Sequence, residues 1–258
     1  MALYSAEALV LDVRDFQEQD RIVTVLTREY GKRRGVAAGA RKKFSRFAGQ
    51  LQPLAKVHLK WWEKEGRDLV RVSDVSLVRG ADFLQQDLEG ILLSAYLAEH
   101  VTELAQESEP SELYFRLLDS TIEALEAGVS RDLATRYFEA WMLRLAGVFP
   151  APRECPACGR PFPGGAVLPR GDDALLCLEC ARDSGVAGGG LLVGPEVLGF
   201  LLRIGREALP KLAEGSVPKA VLRRVEELAT TLRRRFLDRE LKSYTVMRRT
   251  LAETEELG

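Results

Sequence analysis

The sequence predicts an α+β chain of three parts: a small β-barrel, a helical bundle after it, and a metal-held knuckle inserted into the bundle. Three observations predict this. The first eighty residues are rich in short β-branched and apolar runs separated by turn residues. From Asp82 onward the apolar period changes to about 3.6. All four cysteines of the 258 residues fall in one short stretch, as Cys155-Pro-Ala-Cys158 and Cys177-Leu-Glu-Cys180, with eighteen residues between the pairs. The expected bounds are 1–80 for the barrel, 81–150 and 188–242 for the helical domain, and 151–187 for the insert.

The strands come first. Glu7 to Val13 and Asp20 to Thr27 are β-branched and apolar, Glu29-Tyr30-Gly31 makes a turn, and Lys32 to Ala38 returns. A basic loop from Gly39 to Gly49 leads to a fourth strand, Leu54 to Trp62, and a turn at 63–67 leads to a fifth, Leu69 to Val78. Five strands in about eighty residues match the five-stranded oligonucleotide-binding barrel, the OB fold, in size and strand count. An SH3-like barrel is the competing reading, since periodicity does not separate the two.

The helices follow. Leu84, Leu88, Ile91, Leu92, Ala95, Ala98, Val101 and Ala105 trace one helical face, broken at Glu107 to Pro110. Ser111 is placed to cap a second helix bearing Leu113, Leu117, Leu118, Ile122 and Leu125. A third, from about Asp132, directs Leu133, Tyr137, Trp141 and Leu145 inward. After the insert, one helix begins near Pro195 with Val197, Leu198, Leu201 and Leu202. Another spans about 217–239 with Leu222, Val225, Leu228, Leu232 and Phe236. The polar stretch from Lys242 is expected to fray, and His100 to cap a helix or face solvent.

The four cysteines form the most specific motif. Two Cys-x-x-Cys pairs at this separation have the spacing of a zinc ribbon or treble clef, and four thiolates complete a tetrahedral shell. Gly159 permits the tight turn of the first knuckle. One structural Zn2+ per chain is expected, with Cys155, Cys158, Cys177 and Cys180 as ligands and no open position for catalysis. The 151–187 segment is rich in Pro and Gly, so its order is expected to depend on the metal. Disulfides belong to an oxidising compartment, and the N-terminus lacks the basic start and apolar stretch of a secretory signal, so a cytoplasmic location is expected.

Charge is divided unevenly. Residues 1–80 hold 16 Lys and Arg against 10 Asp and Glu, a surplus of six, while the remainder holds 21 against 28, a deficit of seven. A basic first third points to a polyanionic partner. Its cations concentrate at Arg28, Lys32, Arg33, Arg34, Arg41, Lys42, Lys43 and Arg46, the candidate phosphate contacts. Tyr30, Phe44 and Trp62 are the candidates for base stacking. Alternation places Val57, Leu59 and Trp61 on one face of their strand and Trp62 on the other. Arg223, Arg224, Arg233, Arg234, Arg235 and Arg239 decorate the last long helix, with Arg223, Arg224, Arg234 and Arg235 the candidates for a second basic surface and ion pairing along an exposed helix the competing account.

Enzymatic apparatus is missing from the sequence. There is no GxxxxGK[ST] or GxGxxG, and the two histidines, His58 and His100, have no nucleophile or metal ligand at a known spacing. Asp12, Asp15, Glu18 and Asp20 read as a solvated loop. Neither an enzyme nor a small-molecule substrate is expected. RNA binding, or a scaffold whose basic barrel face meets an acidic protein, are the alternatives to DNA binding.

The chain resembles the RecO family of bacterial recombination mediators, in its zinc-bearing branch. The resemblance rests on Ala8-Leu-Val-Leu11, Asp20 to Thr27, Tyr30-Gly31, the stretch from Gly39 to Pro53, and the four-cysteine insert between helices. It implies an N-terminal OB barrel, a helical domain and a structural zinc. It implies binding of single- and double-stranded DNA, annealing of complementary strands coated by the single-strand-binding protein, and partnership with RecR in loading RecA. Arg41, Lys42, Lys43 and Arg46 lie in the family's basic stretch. Annealing needs no covalent chemistry: phosphate repulsion is screened while bases stay free to pair. A nucleoid-associated place in the cytoplasm follows from that role.

Overall fold

The computed structural model describes residues 1–186 and 188–257, with side chains described as far as Thr254. The first five strands are β1 (Ala2–Phe16), β2 (Asp20–Thr27), β3 (Gly31–Ala37), β4 (Lys56–Glu63) and β5 (Val70–Arg79). They close in the order β1-β2-β3-β5-β4. Long β1 makes closure possible: its second half pairs with β2 and its first half with β4, and a bulge between Val10 and Asp12 bends it from one partner to the other. The circle is completed by a short parallel contact, Gly35 and Val36 of β3 beside Val70 and Arg71 of β5. This is the OB arrangement expected from strand count. Alternation sends Ala8, Val10, Val23, Val25, Val57, Leu59, Trp61 and Val72 inward.

The chain divides into two compact units, residues 1–122 with 241–258, and residues 123–240. In the first unit a short 3-10 turn (Asp82–Gln85) leads to α1 (Leu88–Leu104), and α2 (Glu112–Glu126) begins here. The inward face of α1 differs from the one expected. Leu93, Tyr96, Leu97, His100, Val101 and Leu104 are buried, whereas Leu88, Ile91 and Ala95 are exposed. The buried stripe is rotated by about one residue because β1 and α8 both pack on this helix. His100 is wholly buried, not at a solvent-facing end. Asp119 on α2 accepts from Lys56 at 3.0 Å and Arg79 at 2.6 Å, fixing the helix to β4 and β5.

The C-terminal stretch does not fray. It forms α8 (Lys242–Leu257), with Leu241 and Met247 buried and Tyr244 against Tyr96. Glu99 on α1 accepts from the backbone N–H groups of Lys242 (3.2 Å) and Ser243 (2.7 Å), so a carboxylate satisfies orphan donors at the positive end of α8.

The α1–α2 connection is fastened to the free half of β3. Lys32 donates its backbone N–H to Gln106, and Ser108 donates to the Lys32 carbonyl. Gly31 makes this approach possible. Its φ is +64°, and a Cβ there would lie 1.9 Å from the Glu109 carbonyl oxygen. Gly31→Ala is therefore expected to lower the stability of this unit by at least about 2 kcal/mol, because both left-handed backbone and a backbone clash must be relieved. Urea denaturation of the purified variant measures it.

In the second unit, α3 (Arg131–Leu145), α5 (Pro195–Ile204), α6 (Leu209–Ala213) and α7 (Lys219–Leu237) pack together. The expected inward face of α3 is corrected: Phe138, Met142 and Leu143 are buried, while Tyr137, Trp141 and Leu145 are only half-buried. Phe236 of α7 is exposed. The cysteine segment holds β6 (Ala166–Leu168), β7 (Leu176–Cys177), α4 (Leu178–Asp183) and β8 (Leu191–Val193), with strand order β7-β6-β8. It has a small core of its own, from Phe162, Val167, Leu168, Leu175, Ala181 and Val193. Among the described residues, no helix is long and apolar enough to cross a membrane.

Candidate nucleic-acid interface and metal centre

The loop between β3 and β4 is built from successive tight turns. Lys42 donates to the Gly39 carbonyl, Ser45 to Lys42, and Ala48 to Ser45. Its foot is fixed on the β1–β2 turn, where Asp20 accepts from the Gly39 N–H at 2.8 Å and Gln19 from the Arg41 N–H at 3.0 Å. Phe47 is buried in the barrel core and anchors the far side. Phe44, three residues earlier, is 90% exposed. Lys42, Lys43 and Arg46 are exposed around it, and no acidic side chain lies within ion-pair range of them among the described residues. Lys43 and Arg46 instead lie over the rings of Phe44 and Phe47, at 5.7 and 4.8 Å from the centroids.

The eight candidate cations do not form one surface. Arg41 belongs to the loop but is paired with Asp15 at 3.4 Å. Arg28 faces Glu112 and lies over Phe115. Lys32 donates to the Thr102 carbonyl at 2.6 Å. Alternation turns Arg33 toward the barrel interior, where its side chain is 12% exposed and 4.0 Å from Glu63. Only Arg34, on the outer wall, shares the exposure of the loop cations. The physical reason lies in the strand: consecutive β residues point to opposite sides, so Lys32-Arg33-Arg34 cannot act together.

The stacking candidates also separate. Tyr30 packs nearly perpendicular to Tyr4 and Trp61, 5.3 Å from each, and is half-buried against the barrel core. Trp61 is buried and Trp62 is 37% exposed, as alternation requires. The acidic run is partly engaged: Asp12 pairs with Arg14, and Asp15 with Arg21 and Arg41.

On α7, Arg223 and Arg234 are exposed and Arg224 pairs with Glu227 at 2.6 Å. Arg235 turns to the cysteine module, donating to the carbonyls of Pro169 (2.8 Å) and Asp172. Arg233, which sequence reading placed on the helix exterior, is fully buried. It meets Glu240 at 2.7 Å and Glu139 of α3 at 3.7 Å; Glu139 in turn meets Arg136 at 3.0 Å.

The four sulfurs converge. All lie within 4.8 Å of one another, and those of Cys158 and Cys177 are 3.8 Å apart. A tetrahedron with metal–sulfur bonds of about 2.3 Å has sulfur–sulfur edges of about 3.8 Å, so the donor set fits a single tetrahedral ion. The first knuckle is closed by the Gly159 N–H to the Cys155 carbonyl and by the Cys155 N–H to the Arg160 carbonyl, both 2.8 Å. The second sits at the start of α4, where the Cys180 N–H meets the Cys177 sulfur at 3.5 Å.

The backbone N–H of Arg160, then its guanidinium, draw the Cys158 thiol down to about 6. Hydrogen bonding to Cys177 and then Cys158 pushes Cys180 up to about 12. Crowded sulfurs therefore do not ionise together; a cation that binds all four as thiolates removes that conflict. Arg160 also pairs with Glu179. A basic residue two positions after a ligand was the available sequence signal for it.

A closed five-stranded OB barrel followed by helices, with four thiols converging so that they could hold one metal ion, defines the class: an OB-fold protein with a cysteine module. Comparison with known proteins identifies which. The family model described as Recombination protein O N terminal matches residues 1–81, and that described as Recombination protein O C terminal matches residues 85–245. A protein of Anaeromyxobacter dehalogenans is 35% identical over 250 residues, 95% of this chain and 94% of its own length. One of Myxococcus xanthus is 35% identical over 253 residues, covering 96% and 98%. One of Geobacter metallireducens is 37% identical over 199 residues, covering 76% and 78%. Each of these relatives is named DNA repair protein RecO. The chain belongs to the RecO family.

Proposed function

We propose that this chain acts in DNA repair as a recombination mediator. It binds single- and double-stranded DNA, anneals complementary strands, and with RecR helps load RecA onto DNA coated by the single-strand-binding protein. It performs no covalent chemistry, holds one structural zinc ion at Cys155, Cys158, Cys177 and Cys180, and works in the cytoplasm at the nucleoid. The observation that supports this reading best, beside family membership, is the β3–β4 loop, where Lys42, Lys43 and Arg46 stand exposed around the open ring of Phe44 with no acidic partner among the described residues. Such a loop neutralises phosphates, and it offers one aromatic face, not a row of them. Two strands can thus be held close with nearly all their bases free to pair.

The test is strand annealing, with and without single-strand-binding protein, for wild type and for Lys42, Lys43 and Arg46 replaced together by Ala. All three side chains are exposed, so the fold is expected to persist. The variant is expected to lose at least about tenfold in DNA affinity at moderate salt. The slope of log affinity against log salt should become shallower by about 2 for single strands, three contacts at about 0.7 each. Annealing should fall in parallel. Unchanged affinity and slope would sink the reading.

A further inference from the structure

The cysteine module leaves one of its four sulfurs open. Cys155 and Cys177 are buried and Cys180 is half-buried, whereas Cys158 is exposed. The whole tip of the first knuckle, residues 156–160, is exposed with it. A Cβ built on Gly159 would meet nothing within 4 Å, so solvent reaches the sulfur from that side. The Arg160 guanidinium is hydrogen-bonded to the Cys158 sulfur and is itself paired with Glu179. An exposed sulfur beside a cation is the setting in which a thiolate meets electrophiles. The Cys177 sulfur lies 3.8 Å away, in the covered interior of the module. A disulfide needs about 2.05 Å, so joining the two asks for a shift of less than about 2 Å at an open, glycine-bounded turn.

We propose that Cys158 is an oxidation site for peroxides, with Cys177 as the thiol that resolves it. The proposal rests on the zinc reading above and adds a way of discharging the ion. The Cys158 thiolate attacks one oxygen of hydrogen peroxide, the O–O bond breaks, and the other oxygen leaves as hydroxide and takes a proton to become water. Cys158 is then a sulfenic acid, oxidised by two electrons. The Cys177 thiolate attacks the Cys158 sulfur, the S–O bond breaks, and the departing hydroxide is likewise protonated to water. Two thiolates, one peroxide and two protons thus give one disulfide and two waters. Cys155 and Cys180 alone do not complete a tetrahedral shell, so the ion is released. Arg235 of α7 donates to the Pro169 and Asp172 carbonyls between the two knuckles, so loss of order in the module also frees a cation of α7. In a reducing compartment a disulfide of this kind is transient, as redox-sensing disulfides are.

The test treats reduced, zinc-loaded protein with hydrogen peroxide and follows zinc release with a chromophoric chelator, locating the oxidised sulfurs by mass spectrometry after alkylation. Wild type is expected to release its zinc as a Cys158–Cys177 disulfide forms, and to take zinc back after reduction with a thiol. Cys158→His keeps a closed shell, three thiolates and an imidazole, without the open sulfur. It is expected to hold zinc and to release it at least about tenfold more slowly. Release as fast as wild type, or a first disulfide that does not include Cys158, overturns the proposal and leaves the zinc reading standing. Where Cys158→His does not hold zinc, wild type decides through limited labelling with N-ethylmaleimide: Cys158 is expected to react before the other three, and Cys180 reacting first overturns the proposal. Reduced wild type that carries no zinc removes the zinc reading and the proposal together.

Discussion

Chelating the zinc proposed at the four cysteines is expected to unfold the cysteine module: β6, β7 and α4 should lose their hydrogen-exchange protection, and Cys155→Ser should do the same without chelator. Metal analysis of reduced protein is expected to find one zinc per chain before treatment and none after. The argument begins with the sulfurs. Cys158 ionises near about 6, whereas Cys180 keeps its proton to about 12, so the metal-free cluster holds a mixture of thiolate and thiols with no ion joining the two knuckles. The remaining apolar core is small, drawn from residues such as Phe162, Leu168, Leu175 and Val193, and two of the strands it covers have only three residues each. In isolated zinc modules the metal supplies on the order of 10 kcal/mol, enough to decide between folded and unfolded. Because binding displaces the Cys180 proton, metal affinity should fall as pH is lowered, and more steeply once Cys158 also takes up a proton near about 6. Exchange protection that survives complete metal removal would show that the small core suffices alone.

Local chemistry was the legible part of this chain. The β2 boundaries, the alternation separating Trp61 from Trp62, and the cysteine quartet all follow from residues close in sequence, where period or spacing is itself the cause. What escaped depended on distant partners. The face of α1 was assigned from its own apolar residues, but α8 arrives from the far end of the chain and buries Tyr96 and His100. The signal for α8 itself was present, with Leu241, Tyr244, Met247 and Leu251 at helical spacing, but charged residues between them suggested a solvated tail. The basic stretch shows the same division. Its composition was plain, yet whether each cation is free is set by Glu112, Thr102, Glu63 and Asp15, none of which the local run contains.

Arg233 is the extreme case, and it yields the other large effect. Arg233→Met is expected to destabilise the 123–240 unit by about 3–5 kcal/mol. Along α7 it is one arginine in a run of three, and its neighbours Arg234 and Arg235 reach solvent or the cysteine module. Arg233 instead lies fully buried against Glu139 of α3, whose side chain is likewise fully buried, and Glu240 just past the helix end. Removing the guanidinium leaves a desolvated carboxylate with less compensating charge, and that penalty exceeds what the pair contributes when intact. The sign of the argument can be separated from mere loss of packing by a second change. Glu139→Gln keeps an oxygen for Arg136, which lies 3.0 Å away, but removes the buried negative charge. Combined with Arg233→Met it should recover at least about 1 kcal/mol relative to the sum of the two single changes, a coupling read from a double-mutant cycle in chemical denaturation. Simple additivity, or a cost for Arg233→Met below about 1 kcal/mol as at an exposed arginine, would mean that the α3–α7 contact is held by its leucines and not by this ion cluster.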